Sequence, residues 1–95
     1  MTDDCIAKEI LKLLASRDCQ SSICPSEVAR LLANDQEWRK WMPRIRKVGT
    51  QLAYEGLIRI TQGSETVSPT EEPKGPIRYR RGLNYEIAAD ADEWR

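Results

Sequence analysis

The stretch Trp38–Thr61, WRKWMPRIRKVGTQLAYEGLIRIT, decides the fold because its apolar residues change period within it. From Pro43 to Glu55 the apolar side chains recur every three or four residues, which predicts a helix with Pro43 at its first position. Gly56 then closes this helix as a left-handed C-cap. After Gly56 the apolar side chains alternate, which predicts a strand. The segment therefore indicates a long helix that leads directly into a strand.

Two other helices are predicted ahead of this segment. The first spans residues 3–16 with Thr2 as its N-cap, and the second begins at Pro25 and ends at residue 34 or 35. Apolar spacing identifies the side chains of the three helices that are expected to face the core. They are Ile6, Ile10, Leu13 and Leu14, then Val28, Leu31 and Leu32, then Ile45, Val48 and Leu52.

Two details of the long helix carry expectations about its neighbours. A short helical segment, Gln36–Trp41, precedes it, and Met42 is expected to leave helical geometry because a proline follows. Gly49 interrupts the apolar stripe of the long helix at a cost of about 1 kcal/mol relative to alanine. The expected reason is the close approach of another helix, either the first or the second.

A β-hairpin is predicted in the second half of the chain. Ile58 and Ile60 alternate with polar residues in one strand, and Ile77 and Tyr79 do so in another. The sequence between them, GSETVSPTEEPK, is typical of a loop because it is rich in glycine, proline, serine and glutamate. A further strand of one or two residues is expected within residues 21–23.

The order helix, short strand, helix, helix, strand, loop, strand is typical of a winged helix-turn-helix. The predicted fold class is therefore mainly α with a small β-hairpin, in which three or four helices form the core and the hairpin is the wing. The winged-helix domain is predicted to cover residues 1–82, with the long helix in the recognition position. Residues 83–95 form an acidic tail, of which Tyr85 and Ile87 are expected to pack against the body.

Composition argues against several classes of protein. The chain has 95 residues, of which 40% are hydrophobic and 32% are charged, a balance typical of one globular domain. Its apolar runs are far shorter than the ~18 residues of a membrane helix, and the opening MTDD is acidic, unlike a secretory signal. These features predict a cytoplasmic protein that has no membrane partner.

Catalysis, metal binding and cofactor binding are not expected. The chain has no histidine, no glycine-rich phosphate loop and no zinc-ligand set of the usual composition. Its three cysteines, Cys5, Cys19 and Cys24, are expected to pack as small hydrophobes, and a Cys19–Cys24 redox pair is the alternative. The sequence therefore does not predict an enzyme.

The net charge of zero conceals blocks of opposite sign. Outside its buried stripe, the long helix carries residue types that contact phosphates and base edges. On the strands, arginines would face each other on one side of the hairpin, which is unfavourable unless an anion binds there. The predicted nucleic-acid-binding residues are Arg39, Lys40, Arg44, Arg46, Lys47, Thr50, Gln51, Arg59, Arg78 and Arg80.

Other observations favour a different partner. The arginines could extend into water or pair with Glu55, Glu71, Glu72 or Glu86. The predicted wing also carries more acids than bases, so a minor groove would repel it. The sequence thus predicts a small DNA-binding regulator or accessory module whose partner is double-stranded DNA. The alternative is a protein-interaction module whose partner has an acidic surface.

Three runs of sequence extend this interpretation: CPSEVAR, WRKWMPRIRKVGTQLAYEGLIRITQG and KGPIRYRRG. Together they resemble a small bacterial winged-helix family of uncharacterised function, over roughly residues 5–82. The resemblance implies a compact winged helix, and it implies no established activity. The positions that share the family's motifs are Pro25, Ser26, Glu27, Trp38, Arg39, Pro43, Arg44, Arg46, Gly56, Gly75, Pro76 and Arg78.

Overall fold

The computed structural model describes residues 2–33, 36–71 and 73–85. The helices are α1 (Asp3–Ala15), α2 (Pro25–Leu32), a 3-10 helix (Trp38–Trp41) and α3 (Met42–Tyr54), and the strands are β1 (Ile58–Gln62), β2 (Glu65–Val67) and β3 (Arg78–Arg81). The protein is helix-rich, with one antiparallel sheet of order β2-β1-β3. This layout is compatible with that of a winged helix. In the part of the chain described, no helix has the length and apolar character to cross a membrane.

The first residues of α1 and α2 are those that the capping pattern predicts. The Thr2 hydroxyl accepts the backbone N–H of Cys5 at 3.1 Å. At α2, the carboxylate of Glu27 accepts the backbone N–H of Cys24 at 2.8 Å. Each bond satisfies a donor that would otherwise have no partner within the chain.

The C-terminus of α3 is a Schellman motif, as the position of Gly56 predicts. Gly56 has a φ of 78°, a conformation that favours glycine. Leu57 donates its N–H to the carbonyl of Leu52 at 3.0 Å, and Gly56 donates to Ala53 at 3.0 Å. Leu52 and Leu57 are both buried, so the apolar contact beyond the cap is present as well.

The expectation that Met42 leaves helical geometry is wrong. Its φ and ψ of −56° and −46° are helical, and the 3-10 helix continues directly into α3. Pro43 is tolerated there because the first residues of a helix have no intrahelical acceptor for their N–H groups. Trp38 and Trp41 are half-buried and pack against the core.

The predicted core face of α2 is wrong at one position. Leu31 is 60% exposed, whereas Val28 and Ala29 are buried and Leu32 packs against the core. Positions 25, 28, 29 and 32 share the face of α2 that packs against the core. Leu31 lies outside this face and is therefore exposed to solvent.

The core lies between the helices and one face of the sheet. Its largest buried side chains are Ile6, Ile10, Leu14, Ile23, Val28, Ile45, Ile58 and Tyr79. Gly49 is needed for this packing because an added Cβ would overlap the hydroxyl and ring of Tyr79. The close neighbour of Gly49 is therefore a tyrosine of β3, and the expectation of another helix is wrong.

The sheet has one strand more than the sequence predicts. β1 pairs with β3 through Ile60 and Tyr79, which gives the predicted hairpin, but β2 also pairs with the opposite edge of β1. β2 lies inside the stretch that composition assigns to a loop. Ile23 forms the expected short strand as a single bridge to Tyr79, with N–O distances of 2.9 and 2.7 Å.

The packing predicted for the tail is confirmed at Tyr85, and the prediction for Ile87 lies outside the described residues. Tyr85 is buried, as predicted, and its hydroxyl donates to the carbonyl of Leu11 at 3.4 Å. Ile87 and the rest of the predicted tail beyond Tyr85 lie outside the described residues.

All three cysteines are free. Cys5 and Cys19 are exposed, so they do not pack as small hydrophobes, and Cys24 is half-buried.

Candidate nucleic-acid interface

A cleft of about 1000 Å³ separates the outward face of α3 from the 69–77 loop, which connects β2 to β3. From α3 it is lined by Arg46, Lys47, Thr50 and Gln51, four of the residues predicted to bind nucleic acid. We call this space the α3–loop cleft. It groups these four side chains because positions 46, 47, 50 and 51 share one side of a helix with 3.6 residues per turn.

The loop wall of the cleft is held by two side chains that belong to other elements. Arg46 donates to the carbonyl of Pro73 at 2.9 Å and to that of Gly75 at 3.4 Å. From β1, the Gln62 amide donates to the carbonyls of Lys74 and Pro76. Residues 73–76 therefore offer four successive carbonyls to α3 and the sheet.

Two lysines line the cleft, one on each wall. Lys47, on α3, and Lys74, on the loop, are exposed. Neither ammonium group has a hydrogen-bond or ion-pair partner among residues 2–33, 36–71 and 73–85. The acid among the described lining residues, Glu71, accepts the N–H of Ser68 at 3.1 Å within the loop's own turn. Among the described lining residues, positive charge therefore exceeds negative charge.

Three predicted residues lie near the start of α3 and do not line the cleft. Arg44 forms an ion pair with Asp3 of α1, with an N–O distance of 2.8 Å. Lys40 lies 3.8 Å from Glu37, and the Arg39 guanidinium stacks 4.9 Å from the ring centre of Trp38. Since all three are exposed, these are weak contacts.

The remaining three predicted residues share the outer face of the sheet, as the alternation predicts. Arg59 stands opposite Arg80, and Arg78 stands opposite Thr61. Each guanidinium donates to a backbone carbonyl of the protein, which offsets part of the expected repulsion. Arg59 donates to the carbonyl of Arg81 at 3.3 Å, and Arg80 donates to that of Gln20 at 2.6 Å.

Arg78 is fastened most tightly of these three. It donates to the hydroxyl of Ser22 at 2.6 Å and to the carbonyl of the same residue at 3.1 Å. It also lies 3.8 Å from the carboxylate of Glu27. Of the acids considered as partners, Glu72 and Glu86 lie outside the described residues, and neither Glu55 nor Glu71 pairs with a described arginine.

Glu27 joins these contacts to the start of α2. Its carboxylate accepts from Arg17 as well as from the N–H of Cys24. The hydrogen bond from Arg17 is the largest influence holding the pKa of Glu27 below its usual value, and the Cys24 N–H and Arg78 act in the same direction against the opposing effect of burial. These contacts join β3 to the start of α2, and within the described residues both Arg17 and Arg78 have a partner.

Sequence reasoning missed two basic residues that the structure singles out. Arg81 donates to the carbonyls of Leu14 and Arg17, at 3.0 and 2.8 Å, so it binds the C-terminal end of α1. Lys74 is not among the predicted nucleic-acid-binding residues, although it begins a basic block that continues to residue 81. The Gly75–Pro76 pair beside it predicts a turn, which is a further signal that could have drawn attention to this position.

A second hollow, of about 120 Å³, lies between α1 and α3 and differs in charge. Its lining includes Asp3, Asp4 and Glu55, together with Gln51. Carboxylates of this number repel a phosphate. This hollow is therefore less suited to an anion than the α3–loop cleft.

Comparison with known proteins supports the resemblance and adds no activity. Residues 3–82 match the model of a protein family described as a protein of unknown function, DUF3253. No curated protein matches the chain. Because the family model covers more than half of the sequence, the chain belongs to this family.

Proposed function

We propose that this member of the DUF3253 family is a winged helix that binds double-stranded DNA through the α3–loop cleft. The observation that carries the proposal is the position of Lys47 and Lys74. The two lysines line opposite walls of one cleft, and neither has a partner among the described residues.

The order and pairing of the elements support the winged-helix part of the proposal. α2 and α3 follow one another as a helix-turn-helix, and β1 and β3 pair as a hairpin directly after α3. The bridge from Ile23 to Tyr79 adds a further, minimal strand beside β3. In this arrangement α3 is the recognition helix and the 63–77 connection is the wing.

The chemistry of the cleft supports the DNA part. Lys47 and Lys74 are cations that can neutralise phosphates, and Thr50 and Gln51 carry groups that hydrogen-bond to base edges. α3 has 13 residues, so it is about 20 Å long and can lie across a major groove. Because the chain has no net charge, we expect non-specific affinity no tighter than roughly 1 µM at physiological salt.

The experiment is a salt titration of binding to a labelled random-sequence duplex, followed by fluorescence anisotropy. We expect Lys47→Ala to weaken binding and to reduce the slope of log affinity against log salt by about 1, because one phosphate contact is lost. Lys8→Ala is the matched control, since Lys8 is an exposed lysine of α1 outside the cleft. An unchanged slope for Lys47→Ala, or an equal loss for both variants, contradicts the assignment.

One feature favours a protein partner as the second candidate. Apolar side chains such as Met42, Pro69 and Ile77 also line the cleft, and Tyr54 is 61% exposed at its edge. A protein-interaction module of the same fold would use these side chains together with the lysines to bind an acidic protein surface. Absence of duplex binding at low salt, by a protein that folds normally, would favour this candidate over DNA.

A further inference from the structure

The three basic residues of the α3–loop cleft do not have equivalent surroundings. Lys47 and Lys74 have no partner among the described residues, whereas Arg46 is half-buried and its guanidinium already binds two carbonyls of the loop. A phosphate at Arg46 would have to compete with these bonds. Of the three, Arg46 and Lys47 are among the residues predicted to bind nucleic acid, and Lys74 is not.

The hydrogen bonds from Arg46 satisfy carbonyls in a part of the loop that cannot pair with a strand. Pro73 and Pro76 have no N–H, so this segment cannot form a regular ladder with a neighbouring strand. Its carbonyls must find donors elsewhere, and Arg46 and Gln62 supply them. The two side chains approach from different elements, so together they determine where Lys74 lies relative to α3.

We infer that Arg46 and Gln62 are positioning residues that hold the 69–77 loop so that Lys74 and Lys47 grip DNA from the two walls of the cleft. This inference rests on the proposed function for its DNA part. The geometry of the loop carries the rest: a planar guanidinium with several donors can bind the Pro73 and Gly75 carbonyls together, whereas an ammonium group acts as a point charge.

The test combines a readout of the loop with a readout of binding, in the full-length chain. Arg46→Lys keeps the positive charge and removes the forked geometry. Limited trypsin digestion, followed by mass spectrometry, reports cleavage after Lys74, because an exposed lysine in a loosened loop is cut faster. We expect Arg46→Lys to be cut at this bond roughly five-fold faster than the unchanged protein, with unchanged circular dichroism.

The binding readout separates positioning from direct contact. If Arg46 positions Lys74, Arg46→Lys lowers the salt slope by about 1, as Lys74→Ala does, and the double variant Arg46→Lys/Lys74→Ala loses no more than Lys74→Ala alone. If Arg46 contacts phosphate itself, Arg46→Lys keeps a slope close to that of the unchanged protein. That result, or unchanged cleavage after Lys74, overturns the inference.

Gln62→Ala provides a second variant that leaves both α3 and the charge of the protein unchanged. We expect it to raise cleavage after Lys74 and lower the salt slope in the same direction as Arg46→Lys, and no change in either readout contradicts a positioning role for Gln62. If no form of the protein binds DNA even at low salt, the proposed function fails and the DNA part of the inference fails with it. The trypsin readout then still decides whether the two side chains hold the loop.

Discussion

The arginines of β3 and the lysines of the α3–loop cleft carry the same charge but differ in what surrounds them. Arg78, Arg80 and Arg81 all donate to carbonyls within residues 14–22, the end of α1 and the connection that follows it. Lys47 and Lys74 have no such acceptor in the part of the chain that the structure describes.

The difference lies in the supply of backbone carbonyls. A helix leaves its last carbonyls without intrahelical donors, and an irregular connection adds more. β3 runs beside residues 14–22, which form such a region. The guanidinium groups of the β3 arginines therefore donate hydrogen bonds to the carbonyls there. The exposed side of α3 presents only side chains, since its backbone carbonyls are bonded within the helix. Positive charge on β3 is therefore mainly structural, as is that of Arg46 in the cleft, whereas we expect Lys47 and Lys74 to be available to a partner.

The largest expected effect on stability is at Gly49, where α3, the helix that carries Lys47, packs against Tyr79 of β3. In Gly49→Ala the added Cβ would overlap the buried ring of Tyr79, which fixes β3 against α3. We expect the free energy of unfolding to fall by about 2 kcal/mol, because overpacking exceeds the ~1 kcal/mol that alanine contributes to the helix. Chemical denaturation followed by circular dichroism measures this change.

Gln51→Ala is the control for this measurement, because Gln51 lies on the exposed side of the same helix. It should leave the free energy of unfolding within about 0.5 kcal/mol of the unchanged protein. A Gly49→Ala protein as stable as the control would mean that Tyr79 can move aside, and the contact between the two regions would be looser than described.

The next largest effect is expected at Arg81. Arg81→Ala leaves the carbonyls of Leu14 and Arg17 without a charged donor and removes the stacking of the guanidinium 4.6 Å from the ring centre of Tyr85. We expect a loss of about 2 kcal/mol in the free energy of unfolding. Arg59→Ala is the matched control, since Arg59 is exposed and makes one bond of 3.3 Å. Equal losses in the free energy of unfolding for the two variants would show that the greater burial of Arg81 does not make it more important to stability than Arg59.

The features that could be predicted from the sequence are those decided by neighbouring residues. Thr2, Glu27 and Gly56 act within three residues of their own positions, so the ends of the helices follow from local pattern. The alternation of Ile58 and Ile60 likewise predicts which face of β1 is buried. The grouping of Lys47, Thr50 and Gln51 on one side of α3 follows from helical periodicity alone.

The features that could not be predicted depend on partners distant in the chain. Tyr79 meets Gly49 and Arg80 meets Gln20, contacts that span 30 and 60 residues and leave no local pattern. β2 forms in a stretch with loop composition because the free edge of β1 supplies its hydrogen bonds. Lys74 lines the cleft in a loop whose carbonyls accept hydrogen bonds from Arg46 and Gln62, residues 12 or more positions away in the chain.

A smaller effect, dependent on pH, is expected at the ion pairs around Glu27. Since the pKa of Glu27 is lower in the folded state, its contribution is fully present above the unfolded value of about 4.3 and is lost as the pH falls through the folded value. We expect Glu27→Gln to lower the free energy of unfolding by about 1 kcal/mol at neutral pH and the difference to shrink below about pH 4. Denaturant titrations at several pH values measure it.

Glu65→Gln removes the charge of an exposed glutamate on β2 and is the matched control. A Glu27→Gln difference that stays constant from neutral to acidic pH would mean that shape, and not charge, accounts for the contribution of Glu27. The ion pairs of Arg17 and Arg78 with Glu27 would then contribute less to stability than their geometry indicates.

The smallest effect on stability is expected at Lys47, and it is the sharpest way to separate the two regions. Because the Lys47 ammonium group has no partner in the described residues, Lys47→Ala should change the free energy of unfolding by less than about 0.5 kcal/mol while it weakens duplex binding. Arg81→Ala is tested beside it, at a temperature where both proteins are folded. We expect this variant to lose stability and to keep the slope of log affinity against log salt of the unchanged protein. If Lys47→Ala instead unfolds as readily as Arg81→Ala, Lys47 belongs with the structural arginines, and available charge must be sought elsewhere on the surface.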